Sequence, residues 1–186
     1  MKNILGPKER ILITAYQLFY TQGYNVTGIN QILKESKVAK ASLYTHFGSK
    51  EDLGIEYVKK VRTDWFLLFD DYLKDNDTAV AKILAAFDFL EKTIVVNDFK
   101  GCRFLNLLAE IDQSSPRMQL QIVQHKNKVR LFFKNTVAEV EGQNTSTSDT
   151  IYLLFEAAII ESKVYHDIWP ILAAKQAVQK ILNKTS

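Results

Sequence analysis

The 186-residue sequence predicts an all-α protein of about nine helices, and three observations carry that prediction. Apolar residues recur three and four positions apart along almost the whole chain, the period of a one-sided helix. Only 7 Gly and 3 Pro punctuate it, too few for a turn-rich all-β fold. The one run with strand propensity, Thr93-Ile94-Val95-Val96, closes a helical pattern and has no partner strand, so it reads as helix.

The elements follow in order. Ile11, Leu12, Ala15, Leu18 and Phe19 share one face of a first helix, with Pro7 suited to its first turn and Gly23 just past its end. A short second helix opens after Thr27, whose hydroxyl is expected to cap it, and shows Ile29, Ile32 and Leu33 as its apolar side before ending near Ser36. Ala41 to Phe47 forms a third, with Leu43 and Phe47 one turn apart and Gly48 as its C-cap. Ser49-Lys50-Glu51-Asp52 then starts a long fourth helix, its two acids favourable at the positive end of the dipole. Leu53, Tyr57, Val61, Trp65, Leu68 and Tyr72 carry that helix toward Asp75. Further helices are expected from Thr78 to Val96, Cys102 to Gln113 and Pro116 to about Glu141. The polar stretch from Gly142 to Ser148 reads as a flexible linker, followed by helices from Asp149 to Asp167 and Pro170 to Asn183.

Composition bounds the function. A chain of 21.3 kDa with 47% hydrophobic and 24% charged residues can close its own core without disulfides or metal. A single Cys excludes a disulfide framework or a multi-thiolate metal site and suits a reducing compartment. Met1 to Arg10 lacks the apolar core of a secretory signal, and no stretch reaches the roughly 18 apolar residues of a membrane span. The expectation is a soluble cytoplasmic protein with no membrane partner and no cofactor. Neither of the common glycine-rich phosphate-binding patterns occurs, and His46, His125 and His166 lack metal-ligand spacing.

Charge is unevenly spread. Residues 1–50 hold seven Lys/Arg against two Asp/Glu, a surplus of five; residues 51–186 hold 17 against 19, a deficit of two. That asymmetry suggests a polyanion-binding module at 1–50 on a larger domain at 51–186. Residues 27–50 also meet the demands of a helix-turn-helix. Ile29, Ile32, Val38, Leu43 and Phe47 supply a buried side, while Lys40, Ser42, Tyr44, Thr45 and His46 fall on the other side of the third helix.

At these residues the chain resembles the TetR family of bacterial transcriptional regulators. The likeness lies in Val26-Thr27-Gly28-Ile29, in Val38 to Phe47 with its Leu43-Tyr44-Thr45-His46-Phe47 core, and in Gly48-Ser49-Lys50-Glu51-Asp52-Leu53. Two positions depart from the family pattern. Lys37-Val38-Ala39 stands where Gly-Val-Ser is usual, which removes a capping hydroxyl at a cost of about 1 kcal/mol and implies a different backbone conformation in the turn.

The resemblance implies that Thr27, Tyr44, His46 and Lys50 contact phosphates, while Lys40, Ser42 and Thr45 read bases with Ala41 among them. It implies a homodimer on a palindromic double-stranded DNA operator, acting more often as a repressor, and a small-molecule effector bound in the body. The last two helices would pair with those of a partner, giving a dimer interface at Ile151, Leu154, Phe155, Ala158, Ile171, Ala174 and Val178. The abundance of aromatics favours an apolar or aromatic effector, in a pocket expected at Trp65, Phe69, Phe87, Cys102, Phe104, Asn106, Phe133, Phe155 and Trp169; plain core packing is the other reading of each ring. Cys102, beside Lys100 and Arg103 near a helix start, is a candidate oxidant or electrophile sensor, against the alternative of a small buried hydrophobe. Two rival functions remain at this stage: a DNA-binding or architectural dimer without a ligand, and a Cys-dependent helical enzyme.

Overall fold

The computed structural model describes residues 5–111, 115–142 and 144–183. Nine α-helices lie among them: α1 Pro7–Thr21, α2 Ile29–Ser36, α3 Lys40–Phe47, α4 Lys50–Leu73, α5 Ala79–Val96, α6 Arg103–Glu110, α7 Pro116–Glu141, α8 Thr145–Tyr165 and α9 Trp169–Asn183. No strand occurs among the described residues, and no helix is long and apolar enough to cross a membrane.

The chain packs as two compact units, residues 1–63 with 103–123, and residues 64–102 with 124–186. In the first, α1 packs on α2 and α3 through Ile11, Ala15, Leu18 and Phe19, which meet a buried set that includes Ile32, Leu43 and Phe47. The start of α4 adds Leu53, Tyr57 and Val61, and α6 and α7 add Phe104, Leu107, Met118 and Ile122. Tyr57 closes edge-on against Tyr16 and Phe19, with ring centroids 5.5 and 5.3 Å away, and burial pushes its phenol far above the ordinary range. Gly54 lies where these helices meet closely: a Cβ there would stand 2.6 Å from the terminal methyl of Met118 and 3.0 Å from the Tyr24 ring, so the Met118 side chain would have to move.

The second unit is built on aromatics. Phe69, Phe87, Phe133 and Phe155 are fully buried, with Phe87 5.5 Å and Phe133 5.3 Å from Phe155 by ring centroid. Trp65 stacks on Phe69 at 4.6 Å. The α8–α9 pair forms a helical hairpin whose inner face, Ile151, Ala158, Ile171, Ala174, Val178 and Leu182, completes this core. His166 ends α8 in the left-handed conformation, and the Asp167 carboxylate accepts from the Trp169 N–H at 3.0 Å to start α9.

Several expectations change in detail. The linker expected from Gly142 to Ser148 is mostly helix. Asn144 caps α8 by accepting from the Thr147 N–H at 3.2 Å. Ser148 and Thr150 donate back to the carbonyls of Thr145 and Ser146, at 3.0 and 2.8 Å, so the polar composition serves the first turns of α8 instead of a loop. Gln143 lies outside the described residues, as do Asp112 and Gln113 at the expected end of α6. Lys37 does not change the turn's conformation: it adopts the left-handed geometry (φ 55°, ψ 44°) that Gly usually supplies at a helix end, and its carbonyl accepts from Arg10 at 3.3 Å. Ala39 caps α3 without a side-chain bond, as the missing Ser hydroxyl implies.

Candidate nucleic-acid interface

α3 is two turns long and two-sided. Leu43 is fully buried and Phe47 nearly so, in a helix that packs against α1. Val38, at 9% exposure, fills the turn between α2 and α3. The opposite face, Lys40, Ala41, Tyr44, Thr45 and His46, stands in solvent, and Ser42 is half-buried at its edge. Tyr44 keeps 46% of its surface, a large exposure for an aromatic on a helix otherwise anchored by apolar groups. The Thr45 hydroxyl donates to the Ala41 carbonyl at 2.9 Å, which leaves its oxygen lone pairs outward.

Two expected residues sit differently. Thr27 is fully buried, and Gly28, not Thr27, caps α2. Its hydroxyl donates to the Gly23 carbonyl at 2.6 Å and accepts from Gln22 at 3.2 Å, so the side chain braces the α1–α2 loop and cannot reach a phosphate. Lys50, in the first turn of α4, is half-buried. Its ammonium donates to the Asn25 carbonyl at 3.4 Å and lies 4.5 Å over the Tyr24 ring. Burial lowers its pKa, opposed by the nearby Glu110 carboxylate. Burial likewise raises the Tyr24 phenol to about 12, with Glu51 adding to the effect.

The entry to α4 is fixed by side chains. Ser49 Oγ accepts from the Asp52 N–H at 3.0 Å and donates to the Asp52 carboxylate at 2.7 Å, which Arg117 of α7 also holds at 2.7 Å. The Ser49 hydrogen bond, followed by that of Arg117, keeps the Asp52 carboxyl below its ordinary pKa. A cavity of about 340 Å³ opens beside this pair, with Lys8 and His46 on its wall together with the ion pair of Lys59 and Glu56.

Sequence reasoning missed the ties from α6. Arg103 lies 3.8 Å over the Tyr20 ring and donates to the Tyr16 hydroxyl, while Glu110 holds Asn25. These partners are more than 80 residues apart, beyond the reach of any helical period.

The other expected sites come apart. Phe69, Phe87, Phe133 and Phe155 are packed ring on ring, with Trp65 against them and Cys102 half-buried at the margin of the same core. Phe104 and Asn106 belong to α6 in the other unit, and Trp169 is 48% exposed beside Tyr165. The residues expected at a dimer interface are also turned the other way. Ile151, Phe155, Ala158, Ile171, Ala174 and Val178 are buried in the chain's own core, with Leu154 half-buried. The exposed apolar stripe of the hairpin is instead Leu153, Ala157, Ile160 and Val164 on α8, with Trp169 and Leu172 on α9. The most regular apolar period of each helix is consumed by its own core.

Residues 11–57 match the model for bacterial regulatory proteins of the tetR family. The transcriptional regulator LmrA of Bacillus subtilis is 54% identical over 56 residues, 30% of each chain. IcaR of Staphylococcus epidermidis, the negative transcriptional regulator of the biofilm operon icaADBC, is 30% identical over 122 residues, 66% of this chain and 62% of IcaR. The matched parts thus span less than a third of LmrA and less than two thirds of IcaR. A TetR-family regulator of Streptomyces coelicolor has the same fold, with a TM-score of 0.87 and 23% identity over 97% of this chain and 96% of that one.

Proposed function

Since the chain belongs to the TetR family of bacterial regulatory proteins, we propose that it is a ligand-responsive, DNA-binding transcriptional regulator, acting as a repressor and binding a palindromic operator as a homodimer. The observation that carries this reading is the two-sidedness of α3, with Leu43 and Phe47 buried while Lys40, Ala41, Tyr44, Thr45 and His46 stand in solvent. A helix so anchored can enter a major groove without losing its own core. Lys40 offers a cation to guanine acceptors, and Ser42 and Thr45 offer short hydroxyls to base edges. Tyr44, His46 and Lys50 take the backbone phosphates, which set position and most of the affinity.

Two-fold symmetry requires a second copy, and the outward stripe from Leu153 to Leu172 is the surface proposed to supply it. An effector in the body would act by preferring a conformation in which the two reading heads leave the half-site spacing, weakening operator binding by its differential affinity for that form. IcaR's description as a negative regulator supports repression here.

The test begins with an operator selected from random duplex DNA. Lys50→Ala and Tyr44→Ala should both weaken binding to every duplex, and Lys50→Ala, which removes a cation, should also lower the salt slope by about 1. Lys40→Ala and Ser42→Ala should instead change which bases are preferred, at about 1–3 kcal/mol per altered pair. Binding that is indifferent to all four would refute the assignment.

A second route to release is supported by one observation. The Cys102 thiol lies 3.5 Å from the Lys126 ammonium, which is itself paired with Glu156 inside the second unit. Oxidation to a sulfenic acid would put a polar group beside that buried pair. Cys102→Ser should then leave DNA binding intact while removing release by peroxide, measured on the selected operator. Equal peroxide sensitivity in both proteins would assign Cys102 to packing alone.

A further inference from the structure

On the footing of the DNA-binding reading above, we propose that Glu110, the last residue of α6, is a positioning residue for Lys50: it competes with DNA phosphate for the Lys50 charge. The two side chains meet on one residue. The Glu110 carboxylate accepts from the Asn25 N–H at 2.8 Å, and the Lys50 ammonium donates to the Asn25 carbonyl at 3.4 Å. The Asn25 side chain turns back to donate to the Glu110 carbonyl at 2.6 Å, one of the C-terminal carbonyls that α6 leaves without a helical partner. The carboxylate is seated so closely on the α1–α2 loop that a Cβ on Gly23 would stand 2.9 Å from it.

α6 is also held at its other end, where Arg103 covers the Tyr20 ring at 3.8 Å and bonds Tyr16. Glu110 is therefore not a mobile surface acid. Its place is set by an eight-residue helix tied at both ends to the reading module. Lys50 in turn is drawn in over Tyr24, whose ring packs on Phe19 at 5.0 Å.

A DNA phosphate approaching Lys50 meets an ammonium already bonded to the Asn25 carbonyl, with the Glu110 carboxylate held on the N–H of the same residue. Movement of Lys50 to the phosphate costs its bond to Asn25 and its proximity to the carboxylate. By linkage, whatever shifts α6 away from Asn25 strengthens the Lys50–phosphate contact, and DNA engagement loosens α6 by the same factor.

Operator binding by Glu110→Gln, alone and combined with Lys50→Ala, tests this. Gln keeps an acceptor for the Asn25 N–H but removes the charge. The single variant should bind the selected operator about three- to fivefold more tightly at low salt, with a steeper salt slope. In the Lys50→Ala background the gain should vanish, since a double-mutant cycle isolates the pair. Glu110→Asp, which keeps the charge, should stay within about twofold of the natural chain, with thermal melting showing all variants folded. Equal tightening with and without Lys50, equal tightening by Glu110→Asp, or no tightening by Glu110→Gln would each overturn the proposal. A natural chain that binds no duplex at all would sink the DNA-binding reading itself, which is a different result from a binding chain that gains nothing from Glu110→Gln.

Discussion

Ile160→Glu together with Val164→Glu is expected to leave a folded monomer of 21.3 kDa whose operator affinity falls by about a hundredfold or more. Both side chains are exposed, at 46% and 68%, so the substitutions remove nothing from the chain's own core, and each should change protomer stability by no more than about 0.5 kcal/mol. In the proposed dimer, however, they place four carboxylates in an apolar seam, where unpaired charge is strongly disfavoured. The affinity loss follows from geometry. Two reading heads on one particle make the second half-site contact intramolecular, and this avidity disappears when the particle divides. Light scattering gives the mass, and a mobility-shift titration gives the affinity. A double variant that remains a dimer would move the interface away from the outward face of α8.

Phe87→Ala is expected to cost about 3–5 kcal/mol and to lower Tm by roughly 10 °C. Phe87 has no exposed surface and is enclosed by Phe133 and Phe155, with ring centroids 6.4 and 5.5 Å away. Truncation removes its transfer free energy and leaves a void that the neighbouring rings, themselves locked, cannot fill. Leu67→Ala, at a position 65% exposed on α4, should by contrast stay within about 0.5 kcal/mol. The same experiment tests the expectation that Phe87 lines an effector pocket. A ring that borders open space would cost far less to remove than one packed on all sides, so a loss below about 1 kcal/mol would revive the pocket at this place.

How much of this was legible in the sequence depends on whether a feature was local. The helices of the reading module follow from short-range signals, since Leu43 and Phe47 are a turn apart and Ser49 caps α4 through Asp52. Lys37 was legible as a departure but not in its effect, because the Arg10 and Val38 bonds that surround the left-handed turn are tertiary and local. The start of α8 was misread because Asn144 and the following hydroxyl residues serve caps and loops equally well; which use prevails depends on the burial of Ser148. The outward stripe of α8 was hidden behind the stronger inward one. Glu110 carried no signal at all: an acid at a helix end is ordinary until Asn25 is found against it.

The central claim is that residues 40–46 face duplex DNA twice in one symmetrical particle. Hydroxyl-radical footprinting on the selected operator measures it directly, with the natural chain and Ala41→Glu side by side. Ala41 is exposed in the middle of the reading face and supports no core contact, so Glu there adds a charge against the groove while leaving the fold alone. The natural chain should protect two patches related by a dyad, with centres one helical turn of about 34–36 Å apart or a multiple of it. The Ala41→Glu protein, melting at the same temperature, should protect neither. A single patch, or protection unchanged by Ala41→Glu, would contradict the account.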